Sequence, residues 1–480
     1  MARLSRRQAL SFTGLTLASA VLAACAGGAP PAPTAAPVRP ATAAQPTAAG
    51  QSAGPAKPTP GANPTSAAKP TAAAPAATNG QTATLHLLAW GDPQETKARG
   101  FQIQAFEADN PTIKMIFDHT PTADYLTKLN TMLASGDVPD VIYIGNGDMW
   151  RYASLGSLLP LTPLIQRDNF DTTQIYEKIL KLYEVDGVQY GFPADAPSQQ
   201  LFHNTSMFQA TGAALPSYDW KDPNWNWNAF LESAKKLTQP AANGQAAKYG
   251  FVVQTGFRAW WIWVVANGGQ MFNADNTKCL LDQDPSVEAF QFLADLIHKY
   301  KVAPRVDANT TQLPYDQFTG GRLGMLTYWP ALELTRQNMK VGQWDVAPHP
   351  QGKVGKASSG GGTGHHIGKA SKYPEQAWTF LKWTLGTKGA NIWVQYMGIV
   401  SPVKAIDQTD AFLQPGKPPK HIKVFLDGLD YLAADPRHPK FPQVINAVSK
   451  NLDDLWNGNK NAKQALTAAV QDANKAIASS

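Results

Sequence analysis

Thr84-Leu85-His86-Leu87-Leu88-Ala89-Trp90-Gly91-Asp92-Pro93 opens the segment that decides the fold of this chain, and Pro139-Asp140-Val141-Ile142-Tyr143-Ile144 closes it. The run from Thr84 to Trp90 is apolar enough for a buried strand. Asp92 is a candidate N-cap, and Pro93 suits the first helical position. The helix is predicted to reach about Asp109, burying Phe101, Ala105 and Ala108, before Asn110-Pro111 ends it. Thr112–Asp118 reads as a second strand. Thr122 opens a helix with Tyr125, Leu129, Met132 and Leu133 at helical spacing. The apolar strand Val141–Ile144 follows. Strand–helix–strand–helix–strand in so short a stretch is the pattern of a parallel α/β sheet.

The alternation returns downstream. Asn226 caps a predicted helix to Thr238, with Phe230, Ala234 and Leu237 inward. Asp284-Pro285 begins another, burying Phe290, Leu293 and Ile297. Leu323–Thr327 is a short strand, Pro374 starts a helix with Trp378, Leu381 and Leu385, and the C-terminus is helical with Val444, Val448, Leu452 and Leu455 on one face. No fixed-period repeat appears, which disfavours a solenoid or propeller. Two α/β lobes fit better than one large sheet.

Upstream of this body the texture differs. The chain has 480 residues and a net charge of 42 − 36 = +6, which invites a nucleic-acid reading. Arg3, Arg6, Arg7, Arg39, Lys57 and Lys69 carry that excess, and residues 1–83 contain no Asp or Glu, so 84–480 is formally neutral. No nucleic-acid partner is expected. Only two cysteines, Cys25 and Cys279, are present, which excludes a disulfide framework or a Cys-based zinc cluster. Residues 1–24 have a basic start and an apolar run too short to span a bilayer, the pattern of an export signal. Ser5-Arg6-Arg7-Gln8-Ala9-Leu10 resembles the twin-arginine motif, and Leu22-Ala23-Ala24-Cys25 resembles a bacterial lipobox, which makes Cys25 the expected lipidation site. Residues 25–83 are rich in Ala, Pro and Thr and lack aromatic residues; such a stretch cannot offset ordering entropy and is expected to be a disordered tether. As a coil it would span on the order of 45 Å. The expected location is extracytoplasmic, with the body anchored to the membrane through Cys25.

The body resembles the extracellular solute-binding proteins of ABC importers, specifically the sugar-binding group similar to maltose-binding protein. The resemblance is carried by Trp90-Gly91-Asp92, Phe106-Glu107 with Asn110-Pro111, Tyr125–Leu129, Ala134-Ser135-Gly136, Pro139–Ile142 and Gly156–Leu161. It continues through Tyr190–Pro193, His203-Asn204, Trp225-Asn226-Trp227, Asn267-Gly268-Gly269, Ala294–Ile297, Gly321-Arg322, Met325 before Tyr328-Trp329, and Pro374–Trp378. It implies a two-lobed α/β fold of the periplasmic-binding-protein type (type II), with ligand between the lobes. By this resemblance Gly191–Asp195 and Ala347–Pro350 would be hinge strands. Lobe one would hold 84–192 plus 350–400, and lobe two 193–349 plus 401–480. The implied activity is capture of a sugar or oligosaccharide by lobe closure, followed by delivery to the permease subunits by a monomeric receptor. No catalysis and no cofactor are implied.

Sugar recognition needs flat aromatic platforms and polar groups around them. Trp90 and Asp92 follow the first strand, where open α/β sheets place ligands, although Asp92 is equally a helix cap. Asn146 and Asp148 follow the apolar strand, with an ordinary turn as the alternative. Asp195 stands at the presumed first hinge. Arg258 and Trp261 belong to a cluster with Trp260 and Trp263, for which core packing competes. Tyr328 and Trp329 directly follow a strand, with a packed helix N-terminus as the alternative. In Gly360–Gly364, Gly361 and Gly362 would bring backbone close to a ligand; the Gly-Lys-Ser/Thr ending of a phosphate loop is missing. His365-His366 point to opposite faces of a strand and have no third ligand, so no metal is expected. Cys279 reads as a buried small hydrophobe and Asp453-Asp454 as a solvated face. Two other functions compete. The same fold could bind a phosphoester or other anion, which needs more cations than Arg258. A secreted carbohydrate-active enzyme would need two carboxyls about 5–9 Å apart.

Overall fold

The computed structural model describes residues 82–196, 198–242, 247–306 and 312–479. The export signal, Cys25 and the Ala/Pro/Thr-rich stretch lie outside the described residues. The first strand is Ala83–Ala89, and Leu85, Leu87, Leu88 and Ala89 have no exposed surface. It pairs in parallel with Ile113–His119 on one side, in the register Leu85↔Met115, and with Val141–Gly145 on the other. Burying each of its leucines contributes about 1.5–3 kcal/mol, and this central position uses all of them. Thr363–Ile367 adds antiparallel to Val141–Gly145, and Gly191–Pro193 closes the far edge. The five-stranded sheet is therefore assembled from chain segments more than 200 residues apart.

The first helix, Pro93–Asp109, starts as predicted. Asp92 accepts from the backbone N–H of Gln94 and Glu95 at 2.7 and 2.8 Å, and Glu95 returns a bond to the Asp92 N–H. Its inward face differs from expectation. Ala98, Arg99, Gln102 and Phe106 are buried, and Ala108 is exposed. The helix packs on Thr387–Met397, with Gln102 Nε2 donating to Gly389 O at 2.9 Å. A face containing a buried arginine and glutamine cannot be found by looking for apolar periodicity.

A second sheet centres on Gln200–Asn204, flanked antiparallel by Met325–Tyr328 and Trp344–Ala347. Around it lie Trp227–Leu237, capped by Asn226 as expected, Phe257–Ala266 and Asp284–His298. The C-terminal helices Phe441–Trp456 and Ala462–Ala478 pack against each other and on Asp284–His298. Trp260, Phe290, Leu452 and Leu466 share this second core. The architecture is two-lobed α/β.

The chain leaves the first sheet at Pro193 and enters the second at Gln200. Its return comes later than the expected Ala347–Pro350. That segment stays with the second sheet: Ala347 pairs with Leu201, Pro348 O accepts from Trp225 Nε1 at 2.9 Å, and Gln351 bridges to Asn226. The return runs through Ser358–Gly360, which pairs in parallel with Leu432–Ala434, before Thr363 joins the first sheet. The third crossing is also later than residue 400, since Val403 still bridges to Ile175 and Pro402 O accepts from Tyr176 N–H. Long-range backbone bridges, with the Trp225 side-chain bond to Pro348 O, hold each segment in place up to these points.

Candidate functional site

Three elements converge where the crossing strands meet the first sheet. The strand Val141–Gly145 ends at Asn146, whose N–H donates to Gly362 O at 3.0 Å. That bond ties the first lobe to the Gly361-Gly362 turn. From the second lobe, Arg258 in the helix Phe257–Ala266 reaches the same turn. A Cβ at Gly361 would lie 2.1 Å from Arg258 Nε, so only glycine admits the guanidinium here. Asp435, just past Leu432–Ala434, accepts from Arg258 Nη2 at 2.5 Å and Nε at 3.1 Å. The Asp435 side chain is 2% exposed and that of Arg258 33%.

Around this ion pair stand the groups a polyhydroxylated ligand needs. Trp329 is half-buried, with Arg258 Cζ 5.8 Å from its ring centroid. Asp148 is half-buried, its carboxyl pushed up by burial and held back by the nearby Arg258 charge. Buried Asn146 Oδ1 and Tyr183 OH have no hydrogen-bond partner among the described residues. Burial raises the Tyr183 hydroxyl well above its usual value, with Asp195 adding to the effect. Orphaned polar atoms beside an aromatic wall are the marks of a site that binds something polar.

Of the residues singled out in the sequence, Asn146, Asp148, Arg258, Trp329, Gly361 and Gly362 gather here. Asp195 lies beneath them, 4% exposed, accepting from Thr363 N–H at 3.2 Å and Thr363 Oγ1 at 3.0 Å. Burial pushes its carboxyl up to about 7, against the two Thr363 bonds. Trp90 is half-buried against Tyr125 and Tyr143, at centroid distances of 4.6 and 5.1 Å. Asp92 is an exposed cap and borders a cleft of about 1390 Å³, also lined by Lys97, Tyr315, Gln337, Tyr396 and Gln414. Tyr328 stacks on Tyr315 at 4.8 Å. Trp261 is 5% exposed, and its Nε1 donates to Ala434 O at 3.2 Å, so its ring belongs to the second core.

Sequence reasoning missed Asp435, Tyr183 and Thr363. Asp435-Pro436 carried a turn signal that could have marked Asp435. Tyr183 had none. Among the described residues, no three His, Cys, Asp or Glu side chains come together as metal ligands. His365 Nε2 lies 3.3 Å from Arg99 Nη1, and His366 Nδ1 lies 2.9 Å from Tyr190 O.

Two α/β lobes meeting at crossing strands, with a polar and aromatic site at the junction, define a solute-binding fold. The chain belongs to the bacterial extracellular solute-binding protein family, whose model matches residues 89–391. A Brucella abortus (strain 2308) binding protein is 28% identical over 291 residues, covering 58% of this chain and 66% of its own length. An erythritol/L-threitol-binding protein of Mycolicibacterium smegmatis is 25% identical over 336 residues, 61% of this chain and 65% of its own length. An ABC substrate-binding protein from Listeria monocytogenes, solved with cycloalternan, superposes with a TM-score of 0.75 at 25% identity, covering 83% of this chain and 99% of that one. Among the described residues, no helix is long and apolar enough to cross a membrane.

Proposed function

We propose that this chain is the capture subunit of an ABC importer, holding a neutral sugar, oligosaccharide or polyol between its lobes and presenting it to the permease. The observation that carries the reading is the Arg258–Asp435 pair beside Trp329, with Asp148 and the orphaned Asn146 Oδ1 and Tyr183 OH around it. A ring C–H face packs on the indole, and hydroxyls take the unused acceptors and donors. The names of the related polyol- and cycloalternan-binding proteins agree with that chemistry. Ligand touching both lobes favours the closed state by its differential affinity, and closure is the signal the permease reads. No bond in the ligand needs to change, so the reading is a receptor rather than an enzyme. Export, lipidation at Cys25 and a tether over 25–83 complete the proposal and keep the receptor near its permease.

The anion alternative loses its cation, because Arg258 is already neutralised by Asp435 and faces Asp148 as well. A thermal-shift screen of the full chain against monosaccharides, oligosaccharides, polyols and phosphoesters tests the proposal. A ligand at a hundredfold over its dissociation constant adds about 2.7 kcal/mol. A rise with one neutral family, recovered intact, is the expected result. A rise with phosphoesters alone would overturn the sugar reading, and conversion of the sugar would overturn the receptor reading.

A further inference from the structure

Arg99 is 1% exposed in the first helix, and its Nε and Nη2 have no hydrogen-bond partner among the described residues. No carboxylate lies within ion-pair distance of it among the described residues. A permanently charged guanidinium held this way is costly unless its field is used. Its surroundings are aromatic: Cζ lies 4.1 Å from the Tyr143 ring centroid, 4.9 Å from Trp393 and 5.8 Å from Phe117. His365 meets it edge-on at Nη1.

From Tyr143 a directed chain leads to the ligand face. Tyr143 OH donates to Thr363 Oγ1 at 2.9 Å, and Thr363 Oγ1 donates in turn to Asp195 Oδ2 at 3.0 Å. The Thr363 N–H donates to Asp195 Oδ1. A cation over the phenol ring makes its hydroxyl a stronger donor, and hydrogen bonds in series reinforce one another. Thr363 directly follows the Gly361-Gly362 turn that receives Arg258 and Asn146.

We propose that Arg99 is a positioning residue: acting through Tyr143 and Thr363, it orders the Thr363–Asp195 clasp that fixes the Gly361-Gly362 turn for ligand. The inference rests on reading that turn as part of the ligand cleft. The groups facing Asp195 are Glu95 and Arg99 from the first helix, Tyr143 from the strand Val141–Gly145, Tyr183 from the short 3-10 turn Lys181–Tyr183, and Thr363 from the return strand. Burial and Glu95 raise the Asp195 carboxyl, while Thr363 and Arg99 lower it.

The test needs no ligand, so a failed ligand screen leaves it readable. Thermal unfolding of the full chain is followed from about pH 5 to pH 9 in wild type, Arg99→Gln, Arg99→Lys, Tyr143→Phe and Asp195→Asn. A raised folded-state carboxyl makes stability fall with rising pH until that carboxyl is fully ionised. Arg99→Gln should extend the fall toward higher pH, and Tyr143→Phe should do so to a lesser degree. Arg99→Lys should keep the wild-type course, and Asp195→Asn should remove this part of the fall. Hydrogen exchange at residues 361–363 should quicken in Arg99→Gln. A uniformly lower melting temperature with the wild-type pH course would mean that Arg99 only packs. Should Arg99→Gln fail to fold, an unaltered pH course in Tyr143→Phe or Asp195→Asn overturns the relay by itself.

Discussion

Arg258 and Asp435, separated by 177 residues, form a two-point ion pair at the junction of the lobes, with Nη2–Oδ2 at 2.5 Å and Nε–Oδ2 at 3.1 Å. One partner comes from a helix of the second lobe and the other from the end of a crossing strand. Replacing Asp435 by Asn leaves a two-thirds-buried guanidinium without its counter-charge. The full penalty for breaking a buried pair is about 3–5 kcal/mol, and the exposed third of Arg258 reduces it to roughly 1–3 kcal/mol. Urea unfolding of Asp435→Asn should show that loss, together with weaker sugar binding. Unchanged stability would mean that the pair is not held in solution.

Gly361 should not tolerate a side chain. A Cβ there meets Arg258 Nε at 2.1 Å and Cζ at 2.3 Å, so Gly361→Ala must displace the guanidinium from Asp435. Overpacking of this kind costs about 1–3 kcal/mol. Ligand affinity should fall at least tenfold in calorimetry. In Gly361→Ala/Arg258→Ala the two losses should be less than additive, because the two residues share one space and one ion pair.

Stability should also depend on pH through Asp407. It has no exposure and accepts from Ser401 N–H at 2.9 Å. Burial pushes its carboxyl from 3.8 up to about 7, against the Ser401 bond. Between about pH 4 and pH 7 the folded chain therefore holds a proton that the unfolded chain has released, and stability falls as pH rises through that window. His203 and His366, pushed down by burial to about 4, act oppositely: they destabilise the folded chain as pH falls below about 6.5. Asp407→Asn removes only the first contribution. Its melting temperature, compared with wild type, should gain most between pH 7 and pH 8. An equal difference at pH 5 and pH 8 would mean that Asp407 does not titrate there.

Much of this architecture is legible in local sequence. Ala83–Ala89, Asp92, Pro93 and Val141–Gly145 announce strand, cap, helix and strand because each signal is a property of neighbouring residues. The face of the first helix was misread because Arg99 and Gln102 turn inward to meet Tyr143 and Gly389. The contacts of residues 348–351 were equally out of reach, since Trp225 and Asn226 hold them beside the second sheet from more than 120 residues away. At the site, residues after strand ends were found by topology, whereas Asp435 and Tyr183 arrive through tertiary folding. Trp261 shows the limit of composition, since its ring type suits either a platform or a core.

Trp329 and Trp261 should therefore separate when each is replaced by alanine. Trp329 is half-buried beside Arg258, and its strand ends at Tyr328 before the ring is reached. Trp261 is 5% exposed, stacked on Phe257 at 5.8 Å and hydrogen-bonded to Ala434 O. Trp261→Ala opens a cavity in a packed core and should destabilise the chain by about 3–5 kcal/mol. Trp329→Ala removes a platform and should leave stability within about 1–2 kcal/mol of wild type, while affinity for a neutral sugar falls about 10- to 100-fold. Denaturant titration and calorimetry on the same two variants read both quantities. If Trp329→Ala instead destabilised the chain as much as Trp261→Ala with sugar affinity intact, the ligand wall would have to be sought along the Asp92–Tyr396 cleft.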